Sequence, residues 1–120
     1  MLNLDTHILL YSVAGRLTKR ERRILESDPD WSISAIGLWE IEMLHQRKRI
    51  PHGLDHPALA ALLTRVHVWP LTAEICLQVR ALDFDSDPAD ELIAATSLVH
   101  QIPLVTRDAR IRRSKLVRCL

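Results

Sequence analysis

Short runs of strand-forming residues recur along this chain, at Leu2–Leu4, Trp31–Ile33, Val66–Trp69 and Pro103–Thr106, and two stretches of helical character separate each successive pair. Antiparallel neighbours can be joined by a tight turn, whereas parallel strands need crossovers of roughly a dozen residues or more, usually helical. Alternation on this scale specifies an α/β fold in which helices cover both faces of a central parallel sheet. In such sheets ligands bind beyond the carboxyl ends of the strands.

Punctuation sets the element boundaries. Thr6 to Ala14 reads as a helix closed by Gly15, and Thr18 to Glu26 as a second, charged on one side with Ile24 and Leu25 on the other. Asp28-Pro29-Asp30 breaks the chain before the second strand. Ser34 caps a long helix running to about Lys48, and Pro51 and Gly53 end that element. Further helices are expected over Pro57 to Arg65, Thr72 to Leu82 and Pro88 to His100, with a short fifth strand at Val117 to Leu120. The sheet therefore has four to five strands.

With 120 residues the chain makes one domain, residues 1–120, large enough to bury a core without staples. Apolar residues at 48% and charged residues at 26%, with only 3 Gly and 6 Pro, exclude a disordered or low-complexity chain. The Leu-rich opening lacks a basic start and carries Asp5 inside its apolar stretch, unlike a secretory leader, and no apolar run is long enough to span a bilayer. Cys76 and Cys119 stand in no metal-ligand spacing and read as small buried hydrophobes of a reducing cytoplasm. Trp31, Trp39 and Trp69 fall in strand or apolar-helix positions and read mainly as core. The 6 histidines form no His-Glu-x-x-His or Cys-His pattern, which sets zinc aside; they read as surface or capping residues, with His7 a neighbour of any site near Asp5. No phosphate-cradling glycine loop is present.

Net charge is only +1, so bulk attraction to nucleic acid is excluded, but the charge is segregated. Arg107, Arg110, Arg112, Arg113, Lys115 and Arg118 crowd one segment, and Asp83, Asp85, Asp87, Asp90 and Glu91 crowd the one before it. Two further basic runs, Lys19 to Arg23 and Arg47 to Arg49, read as solvated helix faces or as borders of a phosphate-tracking surface. Among the acids, Asp5 follows the first strand directly and Asp108 lies just beyond the fourth, so both face one sheet edge. Asp87-Pro88-Ala89-Asp90 places Asp87 at an N-cap, Pro88 at the first helical position and Asp90 at the third. Asp90 reads as a dipole-stabilising carboxylate or as a metal ligand, and both roles keep it ionised. On the long helix, spacing leaves Glu40 and Glu42 as equal candidates.

Four segments, taken in order, resemble the PIN domain of VapC-type toxins: Leu4-Asp5-Thr6-His7, Ser34 through Trp39-Glu40-Ile41, Asp87 through Thr96, and Pro103 through Asp108. The resemblance spans nearly the whole chain. It implies an α/β/α sandwich and metal-dependent cleavage of RNA in a type II toxin–antitoxin pair. It implies that Asp5, Glu40, Asp90 and Asp108 hold Mg²⁺ or Mn²⁺, and favours Glu40 over Glu42 because Glu40 follows the matching Trp. Thr6, Thr106 and Glu91 would support the site; the segregation of charge, rather than the resemblance, makes Arg107, Arg110, Arg112 and Arg113 the expected RNA contacts. One departure from the pattern is Glu91, which stands where many members have Arg, removing a cation and adding a carboxylate.

On this reading a bound ion activates a water for in-line attack on a phosphodiester, carboxylates serve as its hard oxygen ligands, and proton handling falls to the carboxylates through water. Glu91 keeps alive the alternative of a catalytically weak module that binds RNA or protein, and acidic metal sites also cut DNA. The resemblance further implies a small antitoxin lying in a groove walled by the helices from Thr6 and Ser34, with Leu9, Leu10, Trp39 and Met43 as anchors, and a homodimer.

Overall fold

In the computed structural model, which describes residues 1–120, the chain runs β1 (Leu2–Leu4), α1 (Thr6–Ala14), α2 (Lys19–Ser27), β2 (Trp31–Ser34), α3 (Ala35–Gln46), α4 (Pro57–Leu63), β3 (His67–Trp69), α5 (Ala73–Gln78), α6 (Pro88–His100), β4 (Leu104–Val105) and α7 (Ala109–Arg112). All four strands are parallel, in the order β3-β2-β1-β4. The carboxyl ends of β1 and β4 therefore lie side by side, with β2 on the other flank of β1.

Strand pleating assigns each face of the sheet. Leu2 and Leu4 join Ile8, Leu9, Ile33, Ile41 and Val105 in the larger apolar core, while Leu104 packs with Ile93, Ala94, Ile111 and Val117 in a smaller one. Asn3 points to the side opposite Leu2 and Leu4, where it is fully buried, and its amide donates to Ser97 Oγ at 2.9 Å and to the Ile93 carbonyl at 3.3 Å. That contact fixes α6 against β1, and with it the first turn of α6 against the exit of β1.

Local chemistry ends the helices where the sequence suggests. Gly15 takes the left-handed conformation at φ 68° and α1 closes with Arg16 N–H donating to the Tyr11 carbonyl at 2.9 Å. At the start of α2 a reciprocal cap forms: Glu21 N–H donates to Thr18 Oγ1 at 3.1 Å and Thr18 N–H donates to Glu21 Oε1 at 2.9 Å.

Several expectations are corrected. Val117 to Leu120 is not a fifth strand; it makes one bridge, Cys119 to Leu104, because β4 is two residues long and offers nothing further to pair with. The helix expected over Thr72 to Leu82 is α-helical to Gln78 and tightens to a 3-10 turn over Val79–Ala81. A short helix unforeseen from the sequence, α7, forms because Asp108 caps it and Ile111 anchors it in the core. Trp39 is 56% exposed rather than core, Cys76 is exposed, and only Trp31 and Trp69 are partly covered. Trp69 stacks on half-buried His100 with ring centroids 3.7 Å apart and meets the edge of His67, which is exposed as expected. No helix is long and apolar enough to cross a membrane.

Candidate active site

Asp5 is the first residue beyond β1 and is buried. Its Oδ2 accepts a 2.6 Å hydrogen bond from the hydroxyl of Thr106, which lies just beyond β4, and that hydroxyl oxygen in turn accepts from Asp108 N–H at 3.0 Å. One threonine thus ties the first and last acids of the proposed set together across adjacent strands. Glu40, on α3, accepts a 2.5 Å hydrogen bond from Thr6 Oγ1 at the start of α1. Gly37, a turn earlier, allows that approach: a Cβ there would stand 3.1 Å from Thr6 Oγ1. Asp90 lies in the first turn of α6 and its Oδ2 accepts from Ser86 Oγ at 3.0 Å. Asp108 caps α7, with Oδ1 accepting from Arg110 N–H at 2.8 Å and Ile111 N–H at 3.3 Å.

Glu40 and Glu42 have different partners. Glu42 Oε1 accepts from Leu54 N–H at 2.6 Å and packs against Gly53, so its carboxylate holds a loop. Glu40 faces Thr6 and Asp5 instead. Glu91 is half-buried beside Asp90 and lies outside the lining of the adjoining cavity.

Electrostatics show that the acids feel one another. Burial pushes the Asp90 carboxyl up to about 6, opposed by the Ser86 hydrogen bond and reinforced by the charges of Asp5, Glu40 and Asp108. Asp5 is raised by burial, against the pull of Thr106, His7 and the Thr6 amide, with Asp108 pushing it further up. Glu40 is raised by burial and by Asp5 and Asp87, with Thr6 and His7 acting the other way. His7 is the only basic side chain among these influences. No three Asp, Glu, His or Cys side chains are grouped closely enough to hold one ion as they stand. The cluster fits a divalent cation by its chemistry, since it offers only hard oxygen donors whose mutual repulsion a cation would relieve.

Beside these acids opens a cavity of about 560 Å³, lined by Ser86, Asp87, Asp90, Asp108, Arg110 and Arg113 together with Ala109. Ser86 and Asp87 are additions to the site. Asp87 occupies the N-cap position yet makes no capping bond with its side chain, so its carboxylate remains available, and the crowded acidic stretch in the sequence was the signal for it. The four arginines divide. Arg107 is taken up by Glu21, with Nε and one Nη contacting the two carboxylate oxygens at 2.7 and 2.6 Å, and it lies 4.0 Å over the Tyr11 ring. Arg112 donates to the carbonyls of Thr106 at 3.1 Å and Leu120 at 2.9 Å. Only Arg110 and Arg113 reach the acidic cavity.

A second, mainly apolar groove of about 710 Å³ runs beside α1, with Leu10, Tyr11, Leu44, Ile50 and Leu59 in its walls and His7 at its rim. Of the four anchors expected from the sequence, Leu10 lines it; Leu9 is fully buried in the core, while Trp39 and Met43 lie outside the lining.

Comparison with known proteins agrees with this architecture. Residues 3–115 match the PIN domain family. The chain is 31% identical over 114 residues to ribonuclease VapC22 of Mycobacterium tuberculosis, covering 91% of this chain and 88% of that protein. Among solved structures, VapBC2 from Rickettsia felis bound to a promoter DNA fragment superposes with a TM-score of 0.78 at 20% identity, over 100% of this chain and 98% of that one. A toxin–antitoxin complex from Klebsiella pneumoniae superposes with a TM-score of 0.71 at 20% identity, over 94% and 91%. The match over nearly the full length, joined to a parallel sheet with acids at its carboxyl edge, establishes that the chain belongs to the PIN-domain family.

Proposed function

We propose that this protein is a divalent-metal-dependent endoribonuclease and the toxin of a type II toxin–antitoxin pair. The observation that carries the proposal is the mutual influence of Asp5, Glu40, Asp90 and Asp108 at one sheet edge, in a chain 31% identical to a relative named as a ribonuclease. Asp5, Glu40, Asp90 and Asp108 are the residues that would hold Mg²⁺ or Mn²⁺, with side-chain movement to bring them together, since no three of them stand close enough to share one ion without it. When bound, such an ion supplies an activated water and offsets the charge that grows on phosphorus.

The rest of the work belongs to the chain's own groups. Thr106 and Thr6 donate hydroxyl protons to Asp5 and Glu40, which fixes the direction in which each remaining carboxylate oxygen points and favours the ionised form of both acids. Ser86 does the same for Asp90 through Oδ2, leaving Oδ1 without a hydrogen bond from the protein. Asp108 uses Oδ1 to cap α7 and keeps its other oxygen for the site. These free oxygens are the groups that accept the proton of the attacking water.

A small antitoxin is part of the same reading, supported by the toxin–antitoxin complex among the structures that share the fold, and the groove beside α1 is where its apolar segment docks. The toxin acts as a homodimer in the cytoplasm, where Cys76 and Cys119 stay reduced.

The test is cleavage of a mixed RNA pool by wild type, Asp5→Asn and Asp90→Asn, purified without partner, with Mg²⁺, with Mn²⁺ and with chelator. Metal-dependent cutting by wild type, lost in both variants, is the expected result. Cutting that persists in chelator, or that survives in the variants, overturns the proposal.

A further inference from the structure

Arg110 and Arg113 share the 560 Å³ cavity with Asp87, Asp90 and Asp108, yet neither forms an ion pair with them. The two salt bridges of the chain lie elsewhere, between the Met1 amino group and Asp28 and between Arg107 and Glu21. A guanidinium near a carboxylate ordinarily closes into a short, often bidentate contact. Here Arg110 donates only to the Asp85 carbonyl, at 3.3 Å, and the side chain of Arg113 makes no hydrogen bond within the chain. Both residues are exposed. The cavity is therefore lined by acidic and basic side chains that do not pair with one another.

A backbone phosphate that approaches the carboxylates with an ion between them still carries anionic oxygens on its far side. Asp87, Asp90 and Asp108 repel those oxygens, and the unpaired guanidinium groups that line the same cavity offset that repulsion. Guanidinium groups match phosphate geometry and carry charge at every working pH. Arg107 and Arg112 are not free for the same role, since their donors are committed to Glu21 and to main-chain carbonyls.

We infer that Arg110 and Arg113 form a phosphate seat, binding the non-bridging oxygens of an RNA backbone phosphate beside the acidic cluster. The inference rests on the ribonuclease reading above. Cleavage kinetics on mixed-sequence RNA with Mg²⁺ test it, comparing wild type with Arg110→Gln, Arg113→Gln, the double variant and the double lysine variant. KM is expected to rise about tenfold for each guanidinium removed, with kcat changing far less. The salt dependence of kcat/KM should flatten by about 0.7 in log–log slope for each phosphate no longer neutralised. Mn²⁺ affinity and the unfolding midpoint should stay at wild-type values, and lysine should restore most of the loss. If wild type cuts RNA and the double glutamine variant cuts with unchanged KM and salt slope, the seat is wrong while the ribonuclease reading stands. A variant that loses Mn²⁺ affinity or unfolds early also overturns the seat, by assigning the arginines to metal binding or to the fold. If wild type cuts no RNA, both readings fall together.

Discussion

Thr106 donates a hydrogen bond to Asp5 and accepts one from the Asp108 amide, so its replacement by valine removes the hydroxyl while keeping the shape. Thr106→Val should lower metal-dependent turnover by about 10- to 100-fold, as loss of a ligand-orienting group does, and should cost about 1 to 3 kcal/mol in denaturant unfolding because the Asp5 carboxylate loses a buried partner. The Glu21–Arg107 pair acts on stability instead. Arg107 holds the Glu21 carboxyl down to about 2 from an ordinary 4.5. The folded value is the depressed one, so the contribution is complete above about pH 4.5 and fades as pH falls toward 2. Because Arg107 is partly exposed, screening holds that contribution to about 1 to 2 kcal/mol. Unfolding of Arg107→Ala measured across that range should show a flatter acid limb than wild type. Asp5 and Asp108 were legible in the sequence because each closely follows a strand. Glu40 was not separable from Glu42 by spacing alone, since what separates them is a bond from Leu54 to Glu42. The four arginines look equivalent in one basic run, and only the fold reveals which carboxylates and carbonyls claim two of them.

At the level of elements, the site depends on how closely α3 approaches α1. Gly37 sets that distance, because a Cβ would press on Thr6 Oγ1 at 3.1 Å and Thr6 in turn holds Glu40. Alanine is the better helix former by about 1 kcal/mol. Gly37→Ala should therefore leave thermal stability near wild type while turnover drops about tenfold or more, since a small misplacement of a catalytic group is costly. A fall in stability with unchanged turnover would place the role of Gly37 in packing alone. The alternation of strand and helix made the parallel sheet and all of its helices but α7 readable from sequence. The absence of a fifth strand and the presence of α7 were not, because the first turns on β4 stopping after two residues and the second on Ile111 reaching the core, with Asp108 adding a local cap.

For the molecule as a whole, the acidic edge is a place where burial and like charge cost stability. Asp90 is held near 6 by burial and by its acidic neighbours, so its charge at neutral pH opposes folding. Asp90→Asn should stabilise the metal-free protein by about 1 kcal/mol once solvent screening is allowed for, visible as a raised thermal midpoint at pH 7, while RNA cleavage is lost. On the proposed reading a divalent cation would relieve the same repulsion, and binding to the native state alone would raise its stability. The central claim, that these four acids hold a catalytic cation, is met most directly by calorimetric titration of Mn²⁺ into wild type and Asp5→Asn, with RNA cleavage followed in the same samples. Wild type should bind Mn²⁺ and cut RNA in proportion to the bound fraction, and Asp5→Asn should lose both. Wild type that takes up no Mn²⁺, or whose cutting does not follow Mn²⁺ occupancy, would contradict the claim.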